Sequence, residues 1–148
     1  MFNDLTWKQG EEKTVEYMKN NGYKIVYTNY FCNGVELDIV ATLSVLEQKK
    51  KLKNSLKKEE NRKFHKILKK SYSGMVKNLQ NLLIITEVKA RSSQKFGKGA
   101  DAITEYKVRN IKKCTEFLLR EEKFKNMQVR FDVSSVDEGV VHYIENAF

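Results

Sequence analysis

The sequence predicts an α/β domain: a central mixed β-sheet flanked by helices in the order α-β-β-β-α-β-β, with a basic helical insertion between the second and third strands. Three observations carry this reading. A helical apolar stripe opens the chain. Short β-branched runs separated by Gly- and Asn-containing turns follow it, and a lysine-rich segment of quite different composition interrupts them.

The first helix is expected from about Thr6 to Asn20, with Gly22 placed to end it. Trp7, Thr14, Val15 and Met18 share one stripe, and at about 100° per residue Glu11 falls in the middle of it. An acid on an apolar helix face is costly to bury unless something pairs with it or coordinates it. Residues 23–31 read as a strand, Asn33-Gly34 as a hairpin turn, and residues 35–43 as the returning strand. Period-two alternation would put Val35, Leu37, Ile39 and Ala41 on one face and Glu36, Asp38 and Val40 on the other.

A third strand is expected over Leu82–Ala90. It begins as an apolar run and then carries Glu87 and Lys89 side by side on one face. A loop, residues 92–101, precedes a helix from about Ala102 to Glu121, with Ile103, Ile111, Cys114 and Leu118 on its core stripe and Lys107 inside that stripe. Residues 127–136 and 140–145 form a closing hairpin around Asp137-Glu138-Gly139. Arg130 and Asp132, on one face of that hairpin, read as a structural ion pair. The 44–80 insertion is expected to be a helix or helical hairpin with a break over Ser71–Gly74.

With 148 residues, the chain is expected to form one domain with a core of its own. Its net charge of +9 is local: residues 47–80 hold eleven Lys and one Arg against Glu47, Glu59 and Glu60, and the rest of the chain is balanced. Cys32 and Cys114 are far apart and in no CxxC pattern, so no disulfide framework or zinc motif is legible, and a cytoplasmic location is expected. No signal peptide is visible, and no apolar stretch approaches the roughly 20 residues that span a bilayer, so no membrane partner is expected. His65 and His142 stand alone, and neither a Gly-rich phosphate loop nor a Ser or Cys nucleophile is suggested.

What remains is a constellation of acids with a lysine: Glu11, Glu36, Asp38, Glu87 and Lys89. Carboxylates converging near a lysine are what is needed to hold Mg²⁺ or Mn²⁺ beside a phosphodiester, because these ions take hard oxygen ligands and complete their shell with water and substrate phosphate.

The order Asp38…Glu87-Val88-Lys89 after an acid-bearing helix resembles the PD-(D/E)xK nucleases, the restriction-endonuclease-like superfamily that includes archaeal Holliday-junction resolvases. More closely, the chain is similar to the YraN family, a bacterial group usually predicted to be nucleases. The matching pieces are Gly10-Glu11-Glu12 with Tyr17-Met18, residues 34–40, residues 86–91, Phe96-Gly97, Ala102-Ile103-Thr104 with Lys107, residues 130–133 and residues 144–148. Val35 stands where the strand motif usually has glycine, and the long basic segment stands where a short hairpin is usual.

The resemblance implies a restriction-endonuclease-like fold, with Glu11, Asp38 and Glu87 as metal ligands, Lys89 as the catalytic lysine and Glu36 as an additional acid behind them. It implies Mg²⁺ or Mn²⁺ as cofactor and DNA as partner, branched or single-stranded, with RNA not excluded. A homodimer or a DNA-processing protein partner is compatible with it. Arg91 and Lys107 either reach water or contact phosphate. Lys49, Lys50, Lys51, Lys53, Lys57 and Lys58 of the insertion either form a solvated face or grip the nucleic-acid backbone. Two functions of different class follow: a metal-dependent endonuclease, or a non-catalytic nucleic-acid-binding or adaptor subunit.

Overall fold

The structure, a computed structural model, describes residues 7–58, 62–91 and 103–148. The expected 92–101 loop, Thr6, Ala102, Glu59 and Glu60 lie outside the described residues.

Helix α1 spans Trp7–Asn20. It ends in a Schellman motif: Gly22 takes φ +83°, its N–H bonds the Lys19 carbonyl at 3.1 Å, and the Tyr23 N–H reaches back to the Met18 carbonyl at 3.0 Å. Met18 and Tyr23 then meet in the same apolar cluster, the contact that usually accompanies this cap. The buried face is Gly10, Thr14 and Met18. Trp7, expected on the core stripe, is instead 66% exposed. The reason is geometric: Gly10 already sits against Ala90, near the end of a strand, so one turn earlier the helix overhangs the sheet.

Five strands form one sheet in the order β1-β2-β3-β4-β5: Lys24–Cys32, Val35–Leu43, Leu82–Arg91, Gln128–Asp137 and Val140–Ile144. All neighbours are antiparallel except β3 and β4, which run parallel, so the sheet is mixed. Strand bounds agree with the sequence reading to within a residue, the ordinary scatter of strand ends. Asn33 and Gly34, both at positive φ, make the two-residue turn between β1 and β2, and Glu138 and Gly139 make the corresponding turn between β4 and β5. The parallel pair needs a crossover, which includes α4 (Glu105–Leu118) and a short 3₁₀ turn (Glu122–Phe124).

The two sheet faces bury separate clusters. Met18 of α1 packs with Ile39, Ala41, Leu43 and Ile84, while Ile111, Cys114 and Leu118 of α4 pack with Leu37, Val40, Leu83 and Ile85. Ile103, expected on the α4 stripe, precedes the helix and is half-buried. Cys32 packs against the cluster that holds Cys114, and both thiols are free. The expected alternation along β2 fails at one point: Leu37 belongs to the α4 cluster and Ile39 to the α1 cluster. The strand therefore exchanges faces at Asp38. The register pairs Thr28 with Ile39 and Tyr30 with Leu37, which leaves Asn29, at φ +51°, beside the exchange on β1.

The insertion is a helical hairpin, α2 (Val45–Lys58) and α3 (Arg62–Lys77). Ser44 caps α2, accepting from the Glu47 N–H at 3.2 Å. No break occurs at Ser71–Gly74; α3 runs through it. A mid-helix glycine costs only about 1 kcal/mol, and Tyr72 and Met75 close a shared groove with Leu52 and Leu56 of α2. Lys51 ties the hairpin to the sheet, lying 4.1 Å from the Tyr23 ring centroid and 3.3 Å from Glu145.

Arg130 and Asp132 form the expected structural pair, a bidentate one at 2.9 and 2.7 Å. Asp132 is fully buried and also accepts from the Tyr143 hydroxyl and the Asn146 N–H, so its charge is well satisfied. Among the described residues, no helix is long and apolar enough to cross a membrane.

Candidate active site

The β2–β3 ladder ends at Ile39 opposite Thr86. One residue further, the strands part, and the Asp38 side chain takes the place of the missing ladder bond: its Oδ2 accepts the Val88 N–H at 2.7 Å. The face exchange at Asp38 and the fork between the strands are thus one event. It fixes a carboxylate beside Glu87 at the mouth of the fork.

Glu87 is 5% exposed. Strand alternation from Ile85 puts Glu87 and Lys89 on the α4 face, while Val88 and Ala90 face α1 at Gly10. Lys107, from the first turn of α4, forms an ion pair with Glu87 Oε1. Thr104 caps that turn and accepts from the Lys107 N–H at 3.2 Å. Lys107 leaves the expected α4 stripe: it is exposed, and its ammonium meets the acid.

Glu11 approaches from the other face. Gly10 makes this possible, because a Cβ there would stand 2.8 Å from Ala90 Cβ. Asn29 then donates its amide to both Glu11 oxygens, at 3.2 and 3.1 Å. A cleft of about 550 Å³ opens here, lined by Trp7, Lys8, Glu11, Glu12, Val15 and Asn29 among others. Glu36 is exposed, and its charge reaches Glu11.

The electrostatics tie these acids together. Burial, then the Glu87 charge, push the Asp38 carboxyl up to about 7, against the Val88 N–H and Lys107, which favour its ionised form. Glu11 is also raised, first by burial and then by Glu36 and Glu87, with Asn29 working the other way. Like charges crowded where water is scarce are the environment that a cation relieves.

Asp38 and Glu87 are thus brought together, with Glu11 and Glu36 in their field and Lys107 on Glu87. Among the described residues, no three His, Cys, Asp or Glu side chains stand close enough as a group to hold one ion as they are. Glu11 comes from the α1 face and is held by Asn29, whereas Glu87 comes from the α4 face and is held by Lys107. The donor set still fits a hard divalent ion, since Mg²⁺ is commonly bound by one or two carboxylates plus substrate phosphate.

Of the insertion lysines, Lys50 pairs with Glu47 at 2.6 Å and Lys51 is engaged by Tyr23 and Glu145. Lys49 is half-buried, and Lys53, Lys57 and Lys58 are exposed. Arg91 ends β3, and its side chain lies outside the described residues. Sequence reasoning missed Asn29. Its signal was an Asn inside a strand, since Asn is among the few residues that tolerate positive φ.

A sequence model described as "Uncharacterised protein family UPF0102" matches residues 10–136, a span that contains Glu11, Asp38, Glu87 and Lys89. A UPF0102 protein of Persephonella marina is 30% identical over 148 residues, covering 100% of this chain and 97% of its own length. Another, of Caldicellulosiruptor saccharolyticus, is 32% identical over 145 residues, 94% and 92% of the two chains. A third, of Phocaeicola vulgatus, is 30% identical over 146 residues, 95% and 89%.

Proposed function

The chain belongs to the uncharacterised protein family UPF0102, the YraN family, and we propose that it is a Mg²⁺- or Mn²⁺-dependent endonuclease of restriction-endonuclease-like fold that hydrolyses phosphodiester bonds in branched or single-stranded DNA. The observation that carries this reading is the fork: Asp38 and Glu87 face each other's charge where β2 and β3 part, and Asp38 rests on the Val88 N–H. A bound divalent ion would polarise the scissile phosphate and lower the pKa of a water on it.

The chain's own groups do the rest. Asp38 and Glu87 would hold the ion, with Glu11, oriented by Asn29, completing the set from the α1 side. Lys89, one pleat beyond Glu87 on the same face, would orient the attacking water and offset the charge that develops on the phosphate. Ladder bonds through Ile39–Thr86 on one side and β4 on the other keep β3 rigid, which holds Glu87 and Lys89 in register. The reaction itself does not demand deoxyribose, so RNA is a further arm of the test.

Branched, single-stranded and duplex DNA, with a matched RNA, are incubated with each metal. Cleavage by the wild type is expected, with a loss of about 10²-fold or more in Lys89→Ala. No cleavage by the wild type, or equal cleavage by the variant, would refute the proposal. The second reading, a non-catalytic nucleic-acid-binding or adaptor subunit, is favoured by the exposed Lys53, Lys57 and Lys58. They stand on a hairpin that leaves β2 at Leu43, about 17 Å along the strand from Asp38 at about 3.3 Å per residue. It predicts no site-specific Mn²⁺ binding and salt-sensitive DNA binding that is lost on deleting 47–70.

A further inference from the structure

Glu87 is buried, but its carboxylate has a partner already in place. The Lys107 ammonium is paired with Oε1, and the contact is built rather than incidental. Thr104 caps α4 through the backbone N–H of Lys107 itself, which sets the first turn so that this side chain points to β3. The charge of Lys107 also reaches Asp38 and favours its ionised form, so one ammonium serves both carboxylates of the fork.

A divalent cation held by Asp38 and Glu87 would have to share the Glu87 carboxylate with the Lys107 ammonium. Two positive charges on one carboxylate repel one another strongly in a poorly solvated site. The Lys107 side chain is 47% exposed on a flexible four-carbon stem, so it has somewhere to go. We propose that Lys107 is the resident counter-ion of the Asp38–Glu87 pair, which a divalent cation displaces and which then turns to the phosphate of the incoming nucleic acid.

This rests on the metal-dependent reading above and adds a regulation to it. Without substrate, Lys107 competes with the cation. With substrate, the phosphate gives the released ammonium a partner, so cation and nucleic acid favour one another's binding. The site then fills more readily when there is something to cut.

The test is Mn²⁺ calorimetry and thermal melting on the whole chain without nucleic acid, comparing the wild type with Lys107→Gln. The variant is expected to bind Mn²⁺ about tenfold more tightly or better, since it has no competitor to displace. Its melting temperature is expected below the wild type's in chelator, where Glu87 is left unpaired, and level with it in saturating Mn²⁺, where neither protein keeps the pair. A purely structural lysine would lower melting in both conditions. Thr104→Val, which keeps the ammonium but removes the cap, is expected to shift affinity in the same direction by less. Unchanged or weaker Mn²⁺ binding by Lys107→Gln overturns the proposal, while wild-type cleavage leaves the nuclease reading standing. Absence of Mn²⁺ binding in both proteins overturns the two together.

Discussion

Asp38→Asn gives the sharpest test of the fork. The amide keeps the shape and an oxygen for the Val88 N–H, but it cannot ionise. In the folded protein the Asp38 carboxyl is raised from 3.8 to about 7, by burial and then by Glu87. The folded state therefore binds this proton more tightly than the unfolded chain does, and stability is fully present below pH 4 and lost as pH rises through 7. Roughly three pH units at about 1.36 kcal/mol each make ionised Asp38 cost the fold roughly 4 kcal/mol at pH 8. At about 2 kcal/mol per molar urea, that is a midpoint difference of roughly 2 M between Asp38→Asn and the wild type. Urea unfolding in chelator, repeated from pH 4 to 8.5, should show the two curves close together at pH 4, the variant increasingly more stable from there to about pH 7, and the gap level above that. Taking the difference removes groups that titrate in both proteins, such as Glu145, which is lowered and works in the opposite sense. Saturating Mg²⁺ or Mn²⁺ should then recover wild-type stability at pH 8, by about 2.7 kcal/mol at 100 times Kd, and leave the variant unchanged. A gap that does not grow between pH 5 and 8.5 would refute the argument that Asp38 and Glu87 repel one another in the fold.

Gly10→Ala should destabilise, because its Cβ meets Ala90 Cβ at 2.8 Å; overpacking of about 1–3 kcal/mol outweighs the helix preference of about 1 kcal/mol that alanine brings. In a double-mutant cycle by thermal melting, Gly10→Ala with Ala90→Gly should show favourable coupling, and strict additivity would mean that the close approach is not what holds α1 on β3. Replacing Lys53, Lys57 and Lys58 together by Gln should weaken DNA binding and flatten its log–log salt dependence by up to about 2–3. An unchanged slope would mean that these lysines form only a solvated face.

Local rules made much of the fold legible. Val35–Leu43 could be bounded because a two-residue Asn33-Gly34 turn fixes the hairpin before it, and Glu87 with Lys89 stood out because charges two apart in an apolar strand have few structural uses. The misses are all cases where a distant element decides. Alternation along β2 was read as unbroken, but its interruption at Asp38 depends on where β3 departs. Trp7 looked like core because periodicity says nothing of where the sheet stops beneath a helix. Asn29 and the Lys107–Glu87 pair join residues far apart in sequence, which no window of the chain can show. The α3 break was inferred from Ser and Gly at 71–74, a local preference too weak to override packing on α2.

Leu43 and Leu82 are cross-strand partners, so the two ends of the 44–81 segment stand one strand spacing apart. Closing a longer loop between fixed ends costs only about 0.6 kcal/mol for each doubling of its length. That junction is therefore a port at which whole segments can be exchanged, by descent or by design, with little effect on the sheet. A trimmed two-residue turn, a partner-recognition hairpin or a reporter domain could each occupy it, while Asp38 and Glu87, five positions along their strands, keep their geometry. The same scaffold could in this way acquire new addresses in the cell without any change to its chemistry.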